Sequence, residues 1–157
     1  EAALFGSVDP ADDALVEELA HCLAALAPAP PHGVLYAPLA LGHHLAHQSA
    51  RRRAALLQDH GYHVWYFEDY PYVARDPAGL ATSLGEPSRW QSRLIPLSQT
   101  DVQRKIDAVL AYASQLAVLF AGQEAIDRRV AAALLSQAGR TGNGQPAERL
   151  WRAQDPG

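Results

Sequence analysis

The residues best suited to chemistry are three histidines, His43, His44 and His47, which follow a short apolar run. His44 and His47 are three residues apart, so a helix places both imidazoles on one face, with Arg51 a turn further along. This spacing suits two imidazoles that surround one metal ion or one substrate. It is the one stretch of the sequence in which residue type and spacing both indicate a functional site.

The elements predicted around these histidines are typical of an α/β protein. Residues 33–37 predict a buried strand, Pro38 and Gly42 predict a turn, and residues 43–59 predict a helix that ends near Gly61. A buried strand, a turn and polar groups at a helix N-terminus are how such proteins present chemistry at the carboxyl edge of their sheet.

A second strand is predicted at His63–Phe67 because its residues are aromatic or β-branched. It runs into Glu68 and Asp69, and Pro71 prevents its continuation as a central strand. Two carboxylates just beyond the end of a strand indicate a functional loop. A solvated turn is the alternative that composition alone leaves open.

The rest of the chain predicts three further helices, two connecting segments and a short tail. These are a helix opened by Asp9 and Pro10, a functional or mobile loop at 75–97, helices at 100–121 and 123–138, a flexible link at 139–146, and a tail that folds back on Trp151. We interpret residues 1–157 as a single α/β domain. Because a sheet of only two clear strands is marginal, we expect a missing half or a partner chain, with instability or oligomerisation of the isolated polypeptide.

Composition limits the class of protein. Of the 157 residues 48% are hydrophobic, the formal net charge is −4 and the basic residues form no long run, which argues against a nucleic-acid partner. A single cysteine excludes an intrachain disulfide and fits a reducing compartment. With neither a membrane-spanning apolar run nor a signal peptide, we expect a cytoplasmic protein. Since the sequence starts at Glu1 and contains no methionine, we also expect processing or an upstream part.

Four segments, in order, resemble conserved parts of the PIG-L (LmbE-like) de-N-acetylase family. Residues 34–51, VLYAPLALGHHLAHQSAR, resemble the family block aPL-x-x-G-x-H-x-D-H-x-x-x-R. Residues 64–72, VWYFEDYPY, are similar to the family segment YEDlPY. Residues 105–120 resemble a helix with a lysine and a Y-x-SQ element, and residues 147–152, AERLWR, resemble the closing E-x-x-W piece.

The resemblance implies a zinc-dependent amidohydrolase that removes an acetyl group from an N-acetylated sugar or a related amine. The implied fold is the Rossmann-like three-layer α/β fold of this family, present here as its C-terminal portion. His47 aligns with the zinc-ligating histidine of the block, and His44 with the catalytic histidine near the oxyanion or leaving group. The resemblance also implies that Glu68 and Asp69 contact substrate or position the histidine helix, and that neither is a zinc ligand. Arg51 pairs with one of them, with a substrate oxygen or with a surface partner.

Two departures from the family pattern leave alternatives open. Ala46 stands where the family has an aspartate, and the block HPDDE, which supplies the other ligands and the general base, has only a superficial echo without its histidine in Val8–Asp13. A catalytic zinc site has three protein ligands, so zinc is expected only if upstream residues complete the set. One alternative is a non-catalytic subunit that has lost its metal and binds a sugar, a lipid headgroup or a partner protein. The other is a structural role for the histidines at the start of their helix.

Overall fold

The first part of the chain builds a strand–helix–strand unit with one helix before it. In the computed structural model α1 (Asp13–Leu26) precedes β1 (Val34–Pro38), a turn leads into α2 (Leu45–Asp59), and β2 (His63–Phe67) lies parallel to β1. The structure describes residues 5–9, 11, 13–30, 32–120, 144 and 146–154. The α/β fold class is confirmed, and β1, α2 and β2 lie where the sequence predicts them.

Two further strands complete a mixed sheet. After β2 come α3 (Tyr72–Arg75), α4 (Pro77–Leu84), a 3-10 turn (Pro87–Arg89), β3 (Trp90–Pro96), α5 (Gln99–Leu110), α6 (Ala113–Phe120) and β4 (Ala147–Ala153). The strand order is β1-β2-β4-β3, and β4 is antiparallel to β2, with Tyr66 opposite Trp151. The carboxyl ends of the parallel strands β1 and β2 therefore lie side by side at one edge, where the histidine turn and the two carboxylates begin.

The chain divides into two compact units, and the first of them, Glu1–Arg93 with Leu150–Gly157, contains the main hydrophobic core. Burial alternates along β2, where Val64 and Tyr66 face the core. Leu39 and Val73, which flank the polar segments after the two strands, are also fully buried. Each such aliphatic side chain contributes about 1.5–3 kcal/mol of burial free energy, so the polar segments are held between well-anchored residues.

The second unit, Leu94–Arg149, contains α5 and α6. α5 begins with a capping box, in which the Ser98 hydroxyl accepts from the Asp101 backbone N–H and the Asp101 carboxylate accepts from the Ser98 backbone N–H. The Ser98 hydroxyl and the Ser98 backbone N–H both donate to the Asp101 carboxylate, and these two hydrogen bonds lower the pKa of Asp101. Lys105 forms an ion pair with Glu148. Within the described part of the chain, no helix has the length and apolar character required to cross a membrane.

Several predicted elements need correction. The predicted loop at 75–97 contains α4, a 3-10 turn and β3, because Asp76 caps α4 by accepting from the Gly79 N–H and Pro77 occupies its first turn. The predicted helix at 100–121 is two helices that part between Leu110 and Ala113. The tail is a strand, β4, and together with β3 it gives the described residues a four-stranded sheet where the sequence predicts two clear strands. The predicted helix at 123–138 and nearly all of the link at 139–146 lie outside the described residues.

Candidate functional site

The turn between β1 and α2 has an unusual backbone. Ala40, Gly42 and His43 have φ angles of +59°, +84° and +56°, a region that residues with a Cβ rarely adopt. A Cβ at position 42 would collide with the ring of Tyr72. Gln48 Nε2 secures the turn by donating to the His43 carbonyl at 2.9 Å. Strained conformations of this kind persist where the surrounding structure holds them, which is common at functional sites.

His44 is the N-cap of α2. Its Nδ1 accepts a hydrogen bond of 3.3 Å from the backbone N–H of Ala46, two residues into the helix. An Nδ1 that accepts leaves the proton of the neutral ring on Nε2. The cap therefore makes Nε2 of His44 a hydrogen-bond donor.

His47 is bound to a buried carboxylate. Its Nδ1 lies 2.5 Å from Oδ1 of Asp69, whose side chain is 0% exposed, whereas the His47 side chain is 37% exposed. Oδ2 of Asp69 accepts from the Leu41 backbone N–H at 3.0 Å. An acceptor-only carboxylate requires the ring proton on Nδ1, so the remaining nitrogen, Nε2, carries the lone pair. A histidine whose other nitrogen donates to a carboxylate is oriented as metal-ligating histidines are.

The two imidazoles are neighbours with complementary tautomers. The His44 and His47 rings have centroids 5.2 Å apart, as their spacing on one helical face predicts. The hydrogen bonds place the donor on Nε2 of His44 and the lone pair on Nε2 of His47. Such a pair can hold a Lewis acid or a proton on one ring and donate to a ligand oxygen from the other.

The adjacent carboxylates Glu68 and Asp69 have different surroundings. Asp69 is 1% exposed, and both of its oxygens accept hydrogen bonds within the site. Glu68 is half-buried, and its Oε1 accepts from Nε1 of Trp151 on β4 at 2.9 Å. Sequence reasoning found both carboxylates and the tail tryptophan. It could not tell which carboxylate reaches His47, because that depends on the turn after β2.

Arg51, which sequence reasoning placed beside a carboxylate, a substrate oxygen or a surface partner, is half-buried. Its Nη1 donates to the Leu39 carbonyl at 2.7 Å and to the Ser83 hydroxyl at 2.6 Å, and its Nη2 donates to the Ser83 carbonyl at 2.9 Å. Burial lowers the pKa of the guanidinium, and the nearby Tyr66 and Asp69 oppose that shift. Ser83, on α4, lies in the segment that sequence reasoning interpreted as a loop.

The described residues offer one histidine that is suited to bind a metal ion. His47 fits one ligand position, because a buried carboxylate fixes its tautomer. No group of three or more His, Cys, Asp or Glu side chains within the described ranges is arranged to hold a metal ion. A catalytic zinc site has three protein ligands and an open position. The residues described here therefore do not by themselves fit a catalytic zinc ion.

The structure resembles solved deacetylases. It superimposes on the zinc-inhibited form of teicoplanin deacetylase Orf2 with a TM-score of 0.69 and 20% identity, covering 96% of this chain and 57% of that one. For a deacetylase–bog complex from the biosynthesis pathway of teicoplanin the TM-score is 0.70 at 20% identity, covering 99% and 60%. For the A40926 pseudoaglycone deacetylase Dbv21 the values are 0.62 and 21%, covering 89% and 55%.

These likenesses define the fold as that of the PIG-L/LmbE-type deacetylases, over an aligned part that spans 55–60% of their length. No protein-family model matches the sequence. No curated protein matches it either.

Proposed function

We propose that this chain contributes to a metal-dependent de-N-acetylase that hydrolyses the amide of an N-acetylated sugar or a related amine. The observation that carries the proposal is the pair formed by His47 and Asp69, 2.5 Å apart at the carboxyl edge of the sheet. A carboxylate-supported imidazole with a free Nε2 suits a zinc ligand. The fold shared with solved deacetylases supports the same reaction class.

In this proposal His47 supplies one ligand of a zinc site whose other ligands lie outside the described residues. If zinc is bound there, it would supply a Lewis acid and would lower the pKa of a water. Asp69 is a positioning residue, since its buried oxygens hold the His47 ring and the Leu41 N–H. It acts through the histidine and not on the substrate.

His44 is the proposed catalytic histidine. Its Nε2 proton, set by the N-cap hydrogen bond to Nδ1, is available to an oxygen that gains negative charge during amide hydrolysis. The 5.2 Å between the His44 and His47 ring centroids supports a position for this donor beside the proposed ligand. Glu68 borders the site, and its bond to Trp151 fixes its position.

A non-catalytic role is the second candidate, favoured by the incomplete ligand set within the described residues and by Ala46 in place of the family aspartate. In that role the chain binds a small molecule or a partner protein without a metal. The two candidate functions predict different zinc contents for the purified protein, so the zinc content distinguishes them.

The test is zinc content and deacetylation by the complete protein, purified with zinc supplied. We expect about one zinc per chain in the wild type. His47→Ala should lose this zinc, and His44→Ala should keep it. The control His32→Ala, which changes an exposed histidine outside the site, should also keep it. His44→Ala should lower kcat about 100-fold or more with KM little changed, because it removes a donor to the transition state. A wild type without zinc would exclude the enzyme and favour the non-catalytic role.

A further inference from the structure

A cavity of about 620 Å³ opens beside the histidine pair, within the first unit. Its lining comes from the turn after β1, from α2, and from α3 and α4. Tyr72 lines it and also meets the His47 ring edge-on, with centroids 6.3 Å apart. The volume lies in the range of small-molecule sites, about 300–1,000 Å³.

Three arginines give the cavity its charge. Arg51, Arg52 and Arg75 line it, and Asp76 is the one acidic residue among the described residues of the lining. The Asp76 carboxylate is engaged in capping α4, where it accepts from the Gly79 N–H at 3.0 Å. The Arg52 pair with Asp13 is exposed on both sides and is therefore weak.

Arg51 has a charge that its hydrogen-bond partners do not neutralise. Its guanidinium donates to the carbonyls of Leu39 and Ser83 and to the Ser83 hydroxyl, all of them neutral oxygens. Tyr66 and the Asp69 carboxylate favour its charged form electrostatically, but burial outweighs both effects and no described carboxylate forms an ion pair with it. A half-buried guanidinium is costly when no anion is bonded to it directly. Its planar fork matches the oxygens of a carboxylate or phosphate.

We propose that this cavity binds an oxyanion, a carboxylate or phosphate group of a small molecule, against Arg51, with Arg75 and Arg52 completing the positive lining. The proposal goes beyond amide hydrolysis and does not require it. The cavity and its charges involve neither His44 nor His47 as lining residues. Binding of the anion is therefore expected in metal-free protein.

The test is a titration of the complete, metal-free protein with inorganic phosphate and, separately, with acetate, followed by NMR shifts of backbone amides at low ionic strength. We expect saturable shifts of the amides that border the cavity, such as those of Gly42, Gly79 and Ser83. Tighter binding of phosphate indicates a phosphorylated ligand, and tighter binding of acetate indicates a carboxylate. Either result supports the site.

Charge-neutral variants locate the binding. Arg75→Gln should weaken it about fivefold, and Arg51→Gln more than about tenfold, because each removes charge-assisted hydrogen bonds. The control Arg93→Gln, an exposed arginine of β3 that does not line the cavity, should change it less than about twofold.

Arg51 also links Leu39 to Ser83 through its hydrogen bonds, so the affinity of Arg51→Gln is compared only if that variant folds. The affinity of Arg75→Gln is sufficient to test the proposal. Shifts that never saturate, or that map away from the cavity, would overturn the proposal. So would an equal loss of affinity in Arg75→Gln and Arg93→Gln. Because the readout needs neither zinc nor turnover, failure of the deacetylase proposal leaves this test intact.

Discussion

His47 and Arg51 lie one turn apart on α2, yet their side chains have hydrogen-bond partners of different charge. His47 has a buried carboxylate partner, Asp69, at 2.5 Å. Arg51 is also partly buried, but its hydrogen bonds go to neutral oxygens of Leu39 and Ser83. The comparison shows that the buried carboxylate of Asp69 orients an imidazole, while the arginine one turn away bonds, among the described residues, only neutral oxygens.

The largest loss of stability should come from a change in the turn between β1 and α2, which precedes both His47 and Arg51. Gly42→Ala should lower the free energy of unfolding by about 3 kcal/mol, because it adds a clash with the Tyr72 ring to the strain of a positive φ. The control Gly85→Ala has φ +67° with open space around its Cβ and should cost about 1 kcal/mol. Urea unfolding of both variants measures the difference. Equal losses would mean that the Tyr72 contact contributes nothing.

Asp69→Asn tests the carboxylate side of the comparison. It replaces two charge-assisted hydrogen bonds, to His47 and to the Leu41 N–H, with weaker ones, so we expect a loss of about 2 kcal/mol of unfolding free energy. An amide oxygen that keeps the Leu41 bond turns its NH₂ toward His47 and reverses the ring tautomer, so zinc binding should fall as well.

The neighbouring Glu68→Gln is the matched control for this substitution. Its hydrogen bond to Trp151 is half-exposed, and a glutamine can accept the same proton, so the loss should stay below about 1 kcal/mol. If the two variants lose the same stability, burial of Asp69 is not what distinguishes the carboxylates.

Ser83→Ala tests the arginine side. It removes an acceptor of Arg51 and a donor to the Leu39 carbonyl, at 2.6 Å and 3.1 Å, and should cost about 1 kcal/mol in thermal or urea unfolding. Ser88→Ala, at an exposed position, should change stability by less than about 0.5 kcal/mol. A loss at Ser83 as small as that at Ser88 would show that the Arg51 contacts are not structural.

The smallest expected effect on folding stability comes from Tyr70 and occurs only at alkaline pH. Burial raises the pKa of Tyr70, beside Asp69, to about 12, above the ordinary value of about 10 for the unfolded chain. The folded state therefore keeps this proton longer, and its stabilising contribution is present below about pH 10 and is lost as the pH rises through about 12. Tyr70→Phe should reduce that loss, which stability measured between pH 9 and 12 would follow. Some loss should remain, because burial also raises the pKa of Tyr66.

The elements that sequence reasoning predicted correctly are those with a local signal. The branched and aromatic residues of His63–Phe67 fit one strand, and the helix after Gly42 follows from its strand-and-turn context. β3 has no such signal, since all but its first residue are exposed and burial does not alternate. Asp76 and Pro77 are a local signal for a helix start, but the prediction of a loop at 75–97 does not use it and is wrong for α4, which contains Ser83.

The pairings within the site depend on long-range structure. His47 and Asp69 are 22 residues apart, Arg51 and Ser83 are 32 apart, and Glu68 and Trp151 are 83 apart. Spacing along one helix predicts that His44 and His47 are neighbours. It says nothing about a partner that another strand or helix brings to them.

The sequence by itself determined the α/β class, the strands β1 and β2, the histidine face of α2 and the presence of two carboxylates after a strand, because each has a local pattern. Only the tertiary structure decided that Asp69 is the buried partner of His47 and that Arg51 faces neutral oxygens. The physical reason is that desolvation and hydrogen bonding at a site depend on atoms from distant segments, and those meet only when the parallel strands align at one edge.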